Sequence, residues 1–328
     1  MNRNEALGAV FAAPLDPVTH ENLGDTYRAA AAHWPAQACY RSALFLGSSD
    51  PGVLLKLVIS QLNLGQIEAA NKILVSLGEL TGPLAADRDA LLKHATTMPA
   101  ASLATLDHNR FYRLRSLARE IRTVAGAEPC SVLDIGGGDG VLAAFLPDDD
   151  YLLVEPGTNG LSGLALPLEP DSVDVVCACH VLEHIPPGQR DQFLDQLLAT
   201  ARNHVILLNP FAAKDGKDQE LLQLTADVTG AGWAHEHLEC GLPELEVVRD
   251  YALRRGLAVS LRPNGAVGTA IALVMMDHFA ELAGRQAEAQ KINAYFNSLN
   301  EELLVSPALP AAWLVHFDLK SKNSSVSP

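Results

Sequence analysis

The chain has 328 residues, of which 48% are hydrophobic and 19% are charged, and its formal net charge at pH 7 is −15. This hydrophobic fraction can build a large core and excludes intrinsic disorder as the expected state. The acidic balance, with no run of Lys and Arg, argues against nucleic acid or an anionic membrane as a partner, because both would repel such a surface.

The cysteines and the N-terminus bear on the compartment. The five cysteines are an odd number and none forms a C-x-x-C pair, so we predict no disulfide framework and a reducing environment. Residues 1–17 lack the apolar core of a secretion signal, and no segment reaches the roughly 18 consecutive apolar residues of a membrane span. We therefore expect a soluble, cytoplasmic protein.

Residues 1–100 are predicted to form helical hairpins, because apolar residues recur with a helical period in 21–46, 52–64 and 67–79. A repeat of about 34 residues fits this region. Positions that match the tetratricopeptide signature are Leu23, Gly24, Tyr27, Ala36, Tyr40 and Ala43, and, in a partial second copy, Leu57, Val58, Gln61, Ala70, Leu74 and Leu77. We predict a tetratricopeptide-like domain that can hold a protein partner, and a generic helical bundle is the alternative.

Beyond residue 128 the pattern changes to short runs rich in Val, Ile and Leu. These runs lie at 131–135, 151–154, 173–177 and 204–208. Helical stretches such as 188–202 separate most of them, and this alternation indicates the buried parallel strands of an α/β sheet. The later part is predicted to contain helix 244–256, strand 257–262, helix 276–304, strand 312–319 and a loose polar tail at 321–328.

The most specific motif is VLDIGGGDG at 132–140, where a strand ends in an acid and a glycine-rich turn follows. Glycine lets the backbone turn sharply and approach a ligand closely. A dinucleotide-binding turn would need a third glycine where this chain has Val141. An acid before the turn suits a positively charged, sulfonium-bearing amino acid better than a pyrophosphate. The expected cofactor contacts are Asp134, Gly136, Gly137, Gly138 and Gly140.

Glu155 closes the second predicted strand, in YLLVEPG. In nucleotide-binding sheets an acid at this place accepts hydrogen bonds from both ribose hydroxyls, because the ends of strands one and two are neighbours. A solvated residue at the end of a strand is the alternative reading. The glycine motif favours the ribose role.

The segments VLDIGGGDG, LLVEPG and LPLEPDSVDVVCACHVLEHIPP together resemble the type-11 domain family of class I methyltransferases, over about residues 105–260. Positions that match this family's run are Leu166, Pro167, Asp171, Ser172, Asp174, Val175, Val176, Leu182, Glu183 and His184. The resemblance implies a Rossmann-like α/β fold with a seven-stranded sheet, S-adenosylmethionine as cofactor, and a site above the strand ends. It also implies that 312–319 is an antiparallel edge strand, reached after a helical insertion at 268–307. Further expected cofactor contacts are Pro156, Leu166, Cys179 and His180.

The chain departs from this family's pattern in two places. Only 156–165 separate Glu155 from the Leu-Pro pair, which is too short for the usual helix and third strand, so we predict that this edge of the sheet is cut short. The family often has an Asp that meets the adenine amino group, and here that position is Ser162. A hydroxyl or a backbone carbonyl would have to serve instead.

Two histidines are candidate general bases. His180 follows the strand at 173–177, at the sheet edge where α/β proteins bind ligands, and His237 lies in the connection after the strand at 204–208. Histidine titrates near neutrality and can take a proton from a hydroxyl or ammonium acceptor. The alternatives are packing against the cofactor for His180 and ordinary loop chemistry for His237.

The surroundings of His237 raise the question of a metal, because His235 completes a His-x-His pair with acids close by in the sequence. No third ligand can be identified from the sequence, so we assign no metal. Glu183 and His184 belong to the pattern of the family and are interpreted as mainly structural.

We predict two domains, a helical tetratricopeptide-like domain over 1–100 and a methyltransferase domain over 101–328. The resemblance implies that a methyl group moves to an oxygen or nitrogen of a small polar acceptor, such as a sugar or a natural-product intermediate. One alternative is a peptide or protein acceptor that the helical repeats hold. Another is a catalytically idle scaffold that binds the cofactor.

Overall fold

The computed structural model describes residues 1–78, 80–213 and 216–320. The tail at 321–328, predicted to be loose, lies outside the described residues. No helix in the described part of the chain is long and apolar enough to cross a membrane.

Contacts divide the chain into two compact units. The first consists of Met1–Ser102 and Glu128–Pro167, and the second of Leu103–Ala127 and Leu168–Pro328. In this division the segment that carries the glycine motif groups with the N-terminal helices, and the predicted domain boundary at residue 100 stays a prediction.

Helices form the N-terminal part of the first unit. They are α1 (Arg3–Ala12), α2 (Pro17–Ala29), α3 (His33–Phe45), α4 (Pro51–Asn63), α5 (Ile67–Ser76) and α6 (Pro83–Ala95). Both α2 and α4 begin with a proline in the first turn, after the capping carboxylates of Asp16 and Asp50. In the α2–α3 pair, Gly24 permits close approach, since a Cβ there would lie 2.7 Å from the Tyr40 ring. The predicted helices are present, and the tetratricopeptide-like interpretation stays a prediction.

The glycine motif lies between two parallel strands of the same unit, β1 (Ser131–Ile135) and β2 (Asp150–Val154). A short 3-10 helix, Val141–Phe145, follows the turn. The chain leaves β2 through the short helix α8 (Pro156–Asn159).

Buried Arg41 on α3 connects the N-terminal helices to this segment. Its guanidinium donates hydrogen bonds to three backbone carbonyls, those of Ala143, Leu146 and Asp149, and lies over the ring of Tyr151 at 5.2 Å. Burial lowers the pKa of Arg41 to about 10. The three carbonyls compensate for the loss of solvent around the charge, so the loop between β1 and β2 depends on α3 for its shape.

The second unit contains the remaining strands and helices. They are α7 (His108–Ala125), β3 (Val173–Cys179), α9 (Arg190–Thr200), β4 (Ala201–Asn209), α10 (Lys217–Thr229), α11 (Gly232–Cys240), α12 (Leu245–Arg254), β5 (Ala258–Asn264), α13 (Val267–Leu282), α14 (Gln286–Asn297) and β6 (Ala312–Asp318). Its strands follow the order β3-β4-β6-β5. β3 and β4 are parallel, and β6 is antiparallel to both of its neighbours. The predicted helical insertion corresponds to α13 and α14.

The strand count and the edge strand differ from the expectation. The described residues contain six strands and not seven, because the segment after Glu155 forms α8 and turns, as its shortness predicted. β6 is not an edge strand, since Val315 pairs with Leu207 on β4 and with Leu261 on β5. The alternating exposure of β5 fits an edge, whereas Val315 and Phe317 of β6 are fully buried.

Candidate functional site

The glycine turn in the first unit is built from backbone alone. Gly136, Gly138 and Gly140 have φ angles of +71°, +59° and +78°, which favour glycine over any residue with a Cβ. A side chain at Gly137 would overlap the carboxylate of Asp134. The turn therefore contains backbone positions that carry no Cβ, of which Gly138 is exposed and Gly140 packs against Ala38 of α3.

Two carboxylates flank this turn. Asp134 is buried at the end of β1 and accepts a hydrogen bond from the Tyr151 hydroxyl at 2.7 Å. Glu155 directly follows β2, and its two oxygens accept from the amides of Gly138 at 3.1 Å and Gly157 at 2.9 Å. Each oxygen keeps a second acceptor position for a ligand hydroxyl.

Thr158 adds a further connection, because its hydroxyl donates to the Gly138 carbonyl at 2.7 Å. The ends of β1 and β2 are thus held together by hydrogen bonds, and the predicted residues Asp134, Gly136–Gly140 and Glu155 lie together there. Two anionic side chains beside a glycine turn fit a cofactor with a cationic end and a ribose diol. They do not fit a pyrophosphate, which two carboxylates would repel.

The other expected cofactor contacts are distributed over both units. Pro156 is exposed at the start of α8, and Leu166 is half-buried in the first unit. Cys179 is the last residue of β3 in the second unit, and His180 follows it. Their part in cofactor binding stays a prediction.

His180 has a strained backbone at the end of β3. Its φ of +57° is uncommon for a residue other than glycine, and such strain clusters at functional sites. The amide of His180 donates a hydrogen bond to the Leu208 carbonyl of β4 at 2.8 Å, so the backbone of His180 remains bonded to the neighbouring strand. Burial lowers the pKa of the imidazole to about 4, and Arg113 adds to this effect while Glu183 opposes it.

Glu183 is the centre of a polar cluster in the second unit. The side chain is fully buried, its Oε1 lies 3.1 Å from Nδ1 of His180, and its Oε2 accepts a hydrogen bond from Asn209. Burial acts to raise the pKa of this carboxyl. The interactions with His180 and His237, together with its own backbone amide, outweigh burial and hold the pKa below the usual value.

His237 reaches the same cluster from α11. Its Nε2 lies 3.3 Å from Nε2 of His184 and 3.7 Å from Oε1 of Glu183. Nδ1 of His184 in turn lies 2.8 Å from a carboxylate oxygen of Glu236. Burial lowers the pKa of His237. Glu183 and His184 therefore belong to one polar cluster with His180 and His237, and their interpretation as mainly structural stays a prediction.

The structure does not bring the His-x-His pair together. His235 is exposed and points away from the buried His237, because residues two apart on a helix lie on different faces. Trp233, one helical turn before His237, shares its face, with ring centroids 5.4 Å apart. The helical spacing of Trp233 and His237 is a signal that sequence analysis could have used.

A cavity of about 1600 Å³ lies in the second unit beside this cluster. His180, His184 and His237 are among its lining residues, together with Arg113 of α7. Most of the wall is apolar, with side chains that include Phe211, Trp233, Ile271, Val274, Leu304 and Trp313. The place of α7 in the cavity wall was not predicted, because an amphipathic pattern indicates a helix and not a ligand contact.

Comparison with known proteins finds partial similarity. A protein of Mycobacterium bovis (strain BCG / Pasteur 1173P2), described as an uncharacterized methyltransferase, is 35% identical over 109 residues. The match covers 24% of this chain and 42% of that protein. The match thus spans less than half the length of this relative. No known protein-family profile matches the chain, so membership of the type-11 family stays an interpretation.

Solved structures with low sequence identity are also similar. One is a SAM-dependent methyltransferase from Archaeoglobus fulgidus, with 14% identity, a TM-score of 0.38, and coverage of 64% of this chain and 94% of that one. Another is phosphoethanolamine N-methyltransferase 2 of Haemonchus contortus in complex with S-adenosyl-L-methionine, with 15% identity, a TM-score of 0.39, and coverage of 62% and 52%.

Proposed function

We propose that this chain is a methyltransferase that uses S-adenosylmethionine as its methyl donor. The observation that carries the proposal is the joined arrangement of Asp134, the glycine turn and Glu155 at the ends of β1 and β2. The partial similarity to a protein described as a methyltransferase supports the same conclusion.

The residues of the first unit bind and orient the cofactor. Glu155 accepts hydrogen bonds from the two ribose hydroxyls, and the turn at Gly136–Gly140 approaches the amino-acid portion through its backbone. Asp134, oriented by Tyr151, provides negative charge for the cationic end. When bound, the cofactor supplies an electrophilic methyl group on sulfur. Pro156, Leu166, Cys179 and His180 are the further contacts in this proposal.

The acceptor binds in the cavity of the second unit. A volume of about 1600 Å³ exceeds the range of roughly 300–1,000 Å³ that is usual for small-molecule sites, and the wall is mostly apolar. We therefore replace the expected small polar acceptor with a larger molecule that has an apolar body and a nucleophilic oxygen or nitrogen. This description suits a natural-product intermediate better than a free sugar.

His180 is the preferred general base for this acceptor. It lines the cavity, and among the described residues no group hydrogen-bonds to its buried Nε2. The Glu183 carboxylate, 3.1 Å from Nδ1, stabilises the imidazolium that forms when Nε2 takes a proton. His237 is the second candidate.

Calorimetric titration of the full chain with S-adenosylhomocysteine tests the proposal. We expect one binding site per chain and no binding of NAD or FAD under the same conditions. Absence of S-adenosylhomocysteine binding by the folded protein, or tighter binding of a dinucleotide, would contradict the assignment. If the cofactor binds but no acceptor is methylated in a broad screen for S-adenosylhomocysteine formation, a cofactor-binding scaffold becomes the better account.

A further inference from the structure

Three ligand-type atoms converge in the polar cluster of the second unit. They are Oε1 of Glu183 and the Nε2 atoms of His184 and His237, and suitable atoms of these three residues all lie within 4.8 Å of one another. The two Nε2 atoms are 3.3 Å apart. A tetrahedral ion with bonds of about 2.0–2.1 Å holds its ligand atoms about 3.4 Å apart. The imidazoles therefore already have the separation that such an ion requires.

Glu183 lacks a donor where the ion would bind. Its side chain is fully buried, and within the described parts of the chain no group donates a hydrogen bond of acceptable geometry to Oε1, although His180 Nδ1 is close. A buried carboxylate oxygen without a donor is strongly unfavourable unless a cation compensates it. Oε1 lies 3.7 Å from Nε2 of His237, so this oxygen is placed beside the imidazoles as well as beside His180.

The outer atoms of the cluster are arranged as in established metal sites. Glu236 lies 2.8 Å from Nδ1 of His184, so Nδ1 carries the hydrogen and Nε2 presents its lone pair. Asn209 donates to Oε2 of Glu183, which leaves Oε1 as the oxygen that can ligate. Partners of this kind fix the orientation of the ligands and raise metal affinity.

We propose that Glu183, His184 and His237 bind one divalent transition-metal ion of the Zn²⁺ type. Two imidazoles and one carboxylate are a donor set that such ions prefer. Because both imidazoles line the cavity, the fourth position of the ion is open to a cavity molecule. A ligating His237 cannot take a proton, so the general base in this site is His180. Coordination of the acceptor by the ion rests on the proposed function, whereas metal binding itself does not.

The alternative is a network of hydrogen bonds without an ion, in which Nε2 of His237 donates to Nε2 of His184. The distance of 3.3 Å is slightly longer than the usual range of about 2.7–3.2 Å for a hydrogen bond from nitrogen. In this network Nε2 of His237 donates to His184 and not to Oε1 of Glu183, which lies 3.7 Å away. The two readings differ in one measurable property, the binding of metal.

Titration of EDTA-treated full-length protein with Zn²⁺, in competition with a chromophoric chelator, distinguishes them. We expect one tightly bound ion per chain and an increase in the thermal unfolding temperature when Zn²⁺ is added. Co²⁺ bound in place of Zn²⁺ should give the visible absorption of a tetrahedral complex. The absence of stoichiometric binding would overturn the proposal.

Substitutions locate the ion. His237→Gln and His184→Gln should weaken Zn²⁺ binding by more than 100-fold, and Glu236→Gln, which alters only an exposed partner, by about 10–100-fold. His235→Gln is the matched control, because His235 is exposed on the same helix, and it should bind Zn²⁺ as wild type does. Equal affinity in the His237→Gln and His235→Gln proteins would show adventitious binding and overturn the proposal. A parallel titration of the metal-free protein with S-adenosylhomocysteine reports separately on the proposed function.

Discussion

The two units carry their candidate chemistry in different ways. In the first unit the candidate ligand site is a backbone turn with two flanking acids, drawn from a short stretch between Asp134 and Glu155. In the second unit the candidate site is a cluster of side chains from separate segments. Glu183 and His184 contact His237, which lies 53 residues after His184. The comparison teaches that a local motif can be interpreted from sequence, whereas a cluster assembled by the fold cannot.

The largest expected effect is a loss of stability when Arg41, which holds the loop between β1 and β2, is replaced. Replacing Arg41 with Ala removes the guanidinium as a donor to three buried carbonyls. The carbonyls of Ala143 and Leu146 keep a longer hydrogen bond from a backbone amide, and each hydrogen bond lost from the charged group costs about 1–3 kcal/mol. We expect the free energy of unfolding, measured by urea denaturation, to fall by about 3–5 kcal/mol. Lys72→Ala is the control, because Lys72 forms only an exposed ion pair with Asp148. Equal stability of the two variants would show that the turn does not depend on α3.

The next effect concerns the assembled cluster. With an acceptor identified in the screen, His180→Ala should lower turnover at saturating cofactor by about 100-fold, because the base that takes the acceptor proton is lost. Cofactor affinity, measured separately, reports on the predicted contact of His180 with the cofactor. His235→Ala, outside the cluster, should keep wild-type turnover. If His180→Ala retains full turnover and His237→Ala does too, alignment of the acceptor is sufficient and the site has no histidine base.

Particular residues show how far sequence reasoning reached. We predicted from their spacing that Asp134, the alternate glycines and Glu155 lie close together. The structure places them together, because the ends of consecutive strands are neighbours in a parallel pair. The shortness of 156–165 correctly predicted the lost strand. The prediction that β6 is an edge strand was wrong, since the order in which strands pair depends on long-range contacts that strand patterns do not encode.

The second unit shows what the sequence could not provide. Nothing in the local pattern of Glu183 and His184 indicates that a helix from 232–240 will place His237 against them. The buried guanidinium of Arg41 looks like one more polar residue of an amphipathic helix until its carbonyl partners are known.

The central claim is that Glu155 binds the ribose of S-adenosylmethionine, and calorimetry with S-adenosylhomocysteine tests it most directly. Glu155→Ala removes a charged acceptor for two hydroxyls, and each hydrogen bond is worth about 1.5–3 kcal/mol. The affinity for S-adenosylhomocysteine should therefore fall at least tenfold. The affinity of Glu155→Gln should lie between those of the wild type and Glu155→Ala. Asp150→Asn, exposed at the opposite end of β2, should bind as wild type does. Thermal unfolding of each variant checks that the turn, which Glu155 also holds through Gly138, remains folded. Wild-type affinity in a folded Glu155→Ala protein would contradict the account.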